Sequence, residues 1–367
     1  MSKHLFNFCI GNPPYQETRE TTKDMPIYNE FMDATYEVAD KVELITPARF
    51  LFNAGATPKK WNEKMLNDEH FKILHYEGDS SKIFSNTSIN GGLAISYRDN
   101  EQTYGAIEIF TAYPELNSII SKLKSLKGFI SLNTIMFPYS AYTLSEELWN
   151  DFPERKARVE YIAKHRNELS KEEKKGELSN LRIITTNIFD LFSEVFFEKI
   201  PDDGNEYCCI TGRKNNQRCN MYILKKYINV AENYDKYKVI LSIADGAAGQ
   251  IGKPKPARII GVPTIVGPHI GYTQTFQSIG AVDTQDEAEA ILKYVKTKFA
   301  RTTLGILKIT QHYPQEKWKF VPLQDFTSKS DIDWSKSIHE IDLQLYRKYG
   351  LSAEEITFIE TNVKEME

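Results

Sequence analysis

The chain has 367 residues, 41% apolar and 26% charged, with a net charge of −4. That length allows two or three domains with sizeable cores, and the composition is that of an ordinary soluble protein rather than a disordered or fibrous one. No apolar run approaches the roughly 20 residues that span a bilayer, and a net negative charge argues against a general nucleic-acid binder.

The N-terminus, Met1-Ser2-Lys3-His4, has no signal-peptide layout. Cys9, Cys208, Cys209 and Cys219 form no paired C-x-x-C spacing, so free thiols, no metal centre and a cytoplasmic location are expected. Charge is uneven along the chain. Residues 200–330 carry 18 Lys and Arg against 12 Asp and Glu, whereas residues 331–367 carry 4 against 9. One basic internal region between acidic flanks suits a local polyanion contact.

In chain order, the apolar run Leu5-Phe6-Asn7-Phe8-Cys9-Ile10 predicts a buried strand, closed by Gly11. Asn12-Pro13-Pro14-Tyr15 follows. Two prolines fix φ twice and remove two backbone donors, leaving carbonyls free to accept. An amide side chain precedes them and a flat phenol follows. The arrangement suits a planar amine, with Asn12 Oδ1 and the Pro13 carbonyl accepting its hydrogens and Tyr15 stacking on the attached ring. Residues 16–23 read as a polar loop. Ile27, Phe31, Ala34 and Val38 then mark one helical face, and Lys41 to Pro47 a strand. Strand, loop, helix, strand is the unit of a parallel α/β sheet.

Further strands are predicted at 71–76, 92–97 and 106–110. Leu116, Ile119, Ile120 and Leu123 define an amphipathic helix. Residues 146–178 are charged and helix-forming. They read as a solvated helix laced by i,i+4 pairs, with a phosphate-contacting helix as the alternative. Residues 180–330 change texture to short β-rich runs at 182–186, 207–210 and 238–243. The run Gly246 to Gly252 invites a phosphate-loop reading. That reading fails because Lys253-Pro254-Lys255-Pro256 forbids the helix such a loop must open. A flexible basic loop is expected instead, with Lys253, Lys255 and Arg258 as candidates for phosphate or base-edge contacts, or as solvated surface charges. Residues 286–301 read as one helix. The last helices place Ile341, Leu345 and Tyr349 on one face, and Ser352 with Glu355 forms a capping box.

The segment FNFCIGNPPYQ resembles the motif of amino-methyltransferases, which move a methyl group from S-adenosylmethionine to the exocyclic amine of adenine or cytosine. Its context is similar to adenine-specific DNA methyltransferases of the type related to bifunctional restriction–methylation enzymes. ITPARFL and DSSKIF…GGLAISY resemble the same family, in the order of its catalytic half. LGILKITQHYPQEKWKFVPLQDF resembles the end of its target-recognition domain, where Lys308, Gln311 and His312 are the polar candidates. IHEIDLQLYRKYGLSAEEITFIETNV resembles its tail.

The resemblance implies an α/β fold: a partial Rossmann-like methyltransferase sheet plus a mixed α+β target-recognition domain. It implies a partial catalytic domain at 1–125, a recognition domain with a helical linker at 126–330, and a helical tail at 331–367. It also implies Asn12, Pro13 and Tyr15 as catalytic residues, S-adenosylmethionine as cofactor and double-stranded DNA as partner. The family's Gly-x-Gly donor site precedes the Asn-Pro-Pro-Tyr motif, and these residues carry no such turn. The donor half is therefore expected on a second polypeptide, and no Pro-Asp…Glu-x-Lys nuclease cluster is found before the motif. The alternative is a DNA-binding specificity subunit, or a remnant, without methyl transfer of its own. Related motifs also serve RNA bases and glutamine amides, and the basic recognition region argues for DNA.

Overall fold

Aromatic and β-branched runs build a sheet near the N-terminus whose first strand is only half paired. The computed structural model describes residues 4–17, 25–85, 89, 91–174, 176–178, 180–215 and 217–367. The chain divides into two compact units, Met1–Asn117 and Ser118–Glu367.

In the first unit, β1 (Phe6–Gly11) leads into a short hairpin of β2 (Gln16–Glu17) and β3 (Met25–Pro26). Helix α1 (Tyr28–Val38) then returns the chain to β4 (Ala39–Pro47). β4 lies parallel to β1, with Phe6 opposite Ala39 and Gly11 opposite Leu44. This closes the strand, loop, helix, strand unit as its sequence order requires. A short helix α2 (Lys59–Leu66) precedes β5 (Phe71–Glu77), and β6 (Leu93–Asp99) runs antiparallel between β4 and β5. The order is β1-β4-β6-β5. Tyr28, Met32, Val42, Leu44, Phe50, Trp61 and Phe71 form the core.

Four expectations are corrected here. β1 is not buried: Leu5, Phe6, Phe8 and Ile10 are 77%, 58%, 63% and 77% exposed. The strand ends the sheet order, so β4 covers one edge only. Phe6, Phe8 and Ile10 share one face by the two-residue period. Helix α1 buries Tyr28 and Met32 rather than the expected face, and Phe31 is exposed. Tyr28 sets the rotation, because its ring packs 6.2 Å from both Phe50 and Trp61. Residues 106–110 form no strand. Glu108 adopts φ 55°, a left-handed turn that ends extended pairing, and its N–H donates to the Leu66 carbonyl at 2.7 Å. The loop expected at 16–23 begins as β2, and its residues 18–23 lie outside the described residues.

Helix α3 (Pro114–Ser125) carries the chain into the second unit and buries Leu116, Ile119, Ile120 and Leu123. There, β9 (Tyr207–Lys214) and β10 (Gln217–Leu224) form a hairpin. A later strand, 270–272, adds to β9 in parallel. Between α3 and β9 come β7 (Met136–Phe137), β8 (Thr143–Leu144) and helices α4 (Glu146–Asp151), α5 (Pro153–Lys164) and α6 (Ile188–Leu191). After β10 come β11 (Ile228–Asn229), β12 (Tyr237–Ser242), β13 (Thr264–Val266), β14 (Ile270–Tyr272) and β15 (Phe276–Val282). A second sheet has the order β13-β12-β15-β7. Tyr142, Trp149, Phe189, Phe192, Ile210 and Tyr272 anchor the core.

The charged stretch gives α4 and α5, but its ion pairs of Arg155 with Glu194, Lys156 with Glu146 and Arg158 with Glu177 are not i,i+4. Arg155 meets Glu194 at 2.8 Å and Arg158 meets Glu177 at 3.1 Å, so the charges tie neighbouring segments together. Residues 182–186 contribute an isolated bridge, Thr143 to Ile183, and no strand. The single helix expected at 286–301 is two: α7 (Gln285–Lys296) and α8 (Lys298–Gly305). Thr297 leaves helical geometry at ψ 148° and caps α8 by accepting from the Ala300 N–H at 3.1 Å. Helices α9 (Ile338–Lys348) and α10 (Ala353–Asn362) both open on capping boxes, Ser337 with Glu340 and Ser352 with Glu355. The Asp342 carboxylate accepts the Lys298 and Phe299 N–H groups at 2.9 Å each, fixing the start of α8. Among the described residues no helix is long and apolar enough to cross a membrane.

Candidate functional site

The Asn-Pro-Pro-Tyr turn sits at the carboxyl end of β1. Asn12 and Pro14 are exposed; Pro13 and Tyr15 are half-buried. The Tyr15 carbonyl accepts the Ile27 N–H at 3.2 Å, which ties the end of the turn to the start of α1. Beyond it, Gln16 pairs with Pro26 and Glu17 with Met25. The turn is therefore held by the β1–β4 pairing before it and by the β2–β3 hairpin after it.

Burial pushes the Tyr15 phenol above its ordinary range, and the neighbouring Asn12 side chain opposes that shift in part. The two groups are close without forming a hydrogen bond of ordinary geometry, since the Tyr15 hydroxyl has no partner among the described residues. Three other buried oxygens of this unit share that condition, Thr46 Oγ1, Asn29 Oδ1 and the Tyr36 hydroxyl. Thr46 stands two residues past Leu44, which is opposite Gly11 at the end of β1. Asn29 lies in the first turn of α1, next to the Ile27 contact. A buried polar atom without a partner costs free energy. Such atoms call for a polar partner or ordered water.

These residues do not fit a methyl donor. Tyr15, Thr46 and Asn29 are hydroxyls and an amide, and none is a carboxylate that would hold a ribose diol. No described strand lies on the outer side of β1.

In the second unit, the six residues singled out from sequence fall into two groups. Lys253, Lys255, Gln311 and His312 are exposed. Lys308 is buried, and its ammonium donates to the Gly249 carbonyl. Arg258 pairs with Asp245 at 3.0 Å and donates from Nε to the Ile260 carbonyl at 3.2 Å. Lys253, Lys308 and Gln311 line one recess of about 190 Å³, with Asp245 at its edge. The expected flexible loop is pinned. The Ala248 N–H donates to Asp245 Oδ1 at 3.1 Å, and Gln250 and Lys253 exchange backbone bonds at 2.8 and 2.9 Å. Gly249 has φ +73°, and a Cβ there would stand 2.6 Å from the Lys253 carbonyl oxygen, so only glycine fits. Among the described residues no three His, Cys, Asp or Glu side chains converge to hold a metal.

With this geometry in place, comparison with known proteins adds a class. Residues 1–84, which contain the turn, match the family model described as Eco57I restriction-modification methylase. A structure similar to this chain is the type IIG restriction endonuclease BpuSI, at 8% identity and a TM-score of 0.28, covering 92% of this chain and 48% of that one. The chain thus spans about half the length of that enzyme. No curated protein matches the chain.

Proposed function

We propose that this chain is the target-amine and DNA-recognition part of an adenine-specific DNA methyltransferase of a restriction-modification system, working in the cytoplasm. The observation that carries this reading is the Asn12–Tyr15 turn at the end of β1, inside the 84 residues that match the methylase family. Adenine's exocyclic amine is a poor nucleophile because its lone pair is delocalised into the ring. Asn12 Oδ1 and the Pro13 carbonyl would accept its two hydrogens and favour a tetrahedral nitrogen. Positioning and local dipoles supply such an effect without a strong base. The base must first leave the duplex stack, and the half-buried Tyr15 ring would receive it. S-adenosylmethionine, the expected cofactor, supplies the methyl group. Its site is proposed to lie outside these residues, on further residues of the same polypeptide or on a second one. The exposed apolar face of β1 is the surface proposed to receive that donor half.

Two measurements test this. Calorimetry on the 367-residue chain should show no micromolar binding of S-adenosylmethionine; binding at that level overturns the divided-site reading. Labelled methyl should reach duplex DNA once the polypeptide encoded immediately upstream is supplied, and Asn12→Ala should abolish it. Duplex binding without transfer under that pairing would favour a specificity subunit.

A further inference from the structure

A groove of about 590 Å³ lies in the second unit. Arg213 enters it from the end of β9, Gln274 from the turn after β14, His312 from the segment after α8, and Tyr139 from the loop after β7. Ile183 and Ile243 give it apolar walls, and no carboxylate is among its lining residues.

The floor is fixed by the backbone. The Ile243 N–H donates to the Thr275 carbonyl at 3.1 Å, and the Tyr313 N–H to the Ile243 carbonyl at 2.8 Å. The Gln274 N–H donates to the Ile184 carbonyl at 2.8 Å, and the Asp245 N–H to the Gln311 carbonyl at 3.0 Å. Segments far apart in sequence are thereby held as one frame. The Gln274 side-chain amide makes no hydrogen bond with any described residue. The bridge from Ala244 to His312 separates this groove from the recess that holds Lys253 and Gln311. The groove and the recess meet where Ala244 runs into Asp245 and Gln311 into His312.

We infer that this groove reads base edges of duplex DNA, with Arg213 and Gln274 as its specificity-determining residues. A guanidinium fork matches the two acceptors of guanine in the major groove, and a primary amide matches the acceptor and donor of adenine. Ile183 and Ile243 offer apolar contact to a thymine methyl. Lys253 and Lys255, on the adjoining loop, hold the phosphate backbone and set register without reading sequence. Side chains that read bases work best on a rigid support, and the backbone bonds beneath the groove provide one. Sequence inspection singles out His312 but passes over Arg213 and Gln274, because no local motif joins positions 213, 274 and 312.

The inference rests on the DNA-binding part of the proposed function. Its test is selection from a randomised duplex pool by the full chain, and by Arg213→Ala, Gln274→Ala and the double variant Lys253→Ala/Lys255→Ala. Arg213→Ala and Gln274→Ala should each relax the selected sequence at a discrete position, lowering discrimination there by roughly tenfold. Arg213→Lys, which keeps the charge, should lose the same discrimination while retaining affinity for random duplex. The double lysine variant should select the wild-type sequence with weaker affinity. If Arg213→Ala and Gln274→Ala return the unchanged consensus, the inference is overturned and the DNA-binding reading stands. If the wild-type chain retains no duplex, or retains RNA in its place, both are overturned together.

Discussion

Tyr15 carries a consequence that its neighbours do not. Its ring is half-buried and its hydroxyl unpartnered, so the ring rather than the oxygen is what a stacked base would use. Base–aromatic stacking contributes about 1–3 kcal/mol. Tyr15→Phe should therefore keep target-base extrusion, and Tyr15→Ala should weaken it by that amount. Fluorescence of 2-aminopurine at the target position, in the reconstituted enzyme, measures this; equal signals from the two variants would count against stacking. Lys238 poses a different residue-scale question. It is fully buried, and its ammonium donates to the Asn233 and Lys236 carbonyls at 2.9 and 3.1 Å. Burial pushes its pKa down to about 8 from an ordinary 10.5. The nearby Asp235 carboxylate opposes that shift in part. The folded pKa lies below the unfolded one, so the unfolded chain binds the proton more tightly between them. Stability from this group is full above pH 10.5 and is lost as pH falls through 8, by about 3 kcal/mol at 1.36 kcal/mol per unit. Lys238→Met should remove that pH dependence. It should also destabilise the protein near neutral pH, because it leaves buried carbonyls without donors. Denaturant titrations of both proteins from pH 7 to 10.5 check the sign.

At the scale of elements, β1 separates what sequence can say from what it cannot. The apolar run Leu5 to Ile10 and the prolines after it specify a strand and its end, and both are present. Its burial was misread because an apolar strand is covered only if another element reaches it, and that lies elsewhere in the chain or outside it. The same limit explains α1: periodicity located the helix, while the contacts of Tyr28 with Phe50 and Trp61 set which face turns inward. Glu108 and Thr297 broke a strand and a helix through single backbone torsions that composition does not signal. The capping box at Ser352 and Glu355 was legible because its chemistry is local. The Asn12–Tyr15 turn was legible as the end of the strand for the same reason. The engagement of Lys308 by the Gly249 carbonyl was not, since it links residues 59 positions apart. The exposed face yields its own test. Phe8→Ser with Ile10→Ser should change the stability of this chain by less than about 0.5 kcal/mol, as exposed substitutions do. The same pair should abolish complementation by the donor half. A large loss of stability in the isolated chain would mean that the face is covered within this molecule.

For the whole molecule, charge and division into units point the same way. The net charge is −4, yet residues 200–330 hold an excess of basic side chains, all within the second unit. Many of these are engaged by the fold: Arg258 with Asp245, Lys225 with Glu206 and Lys214 with Glu198. The number of basic residues therefore overstates the phosphate contacts this unit can make. Lys253 and Lys255 remain exposed beside the recess. Each phosphate neutralised releases counterions and adds about 0.9 to the slope of log affinity against log salt on duplex DNA. Lys253→Ala/Lys255→Ala should lower that slope by roughly 1–2 and weaken all duplexes alike. Asn12→Ala should leave the slope unchanged, because the role proposed for Asn12 is toward an amine and not a phosphate. Binding isotherms between 50 and 200 mM salt, about the range over which such contacts are most visible, distinguish the two. A slope that the lysine pair does not move would place the DNA on another face of the second unit.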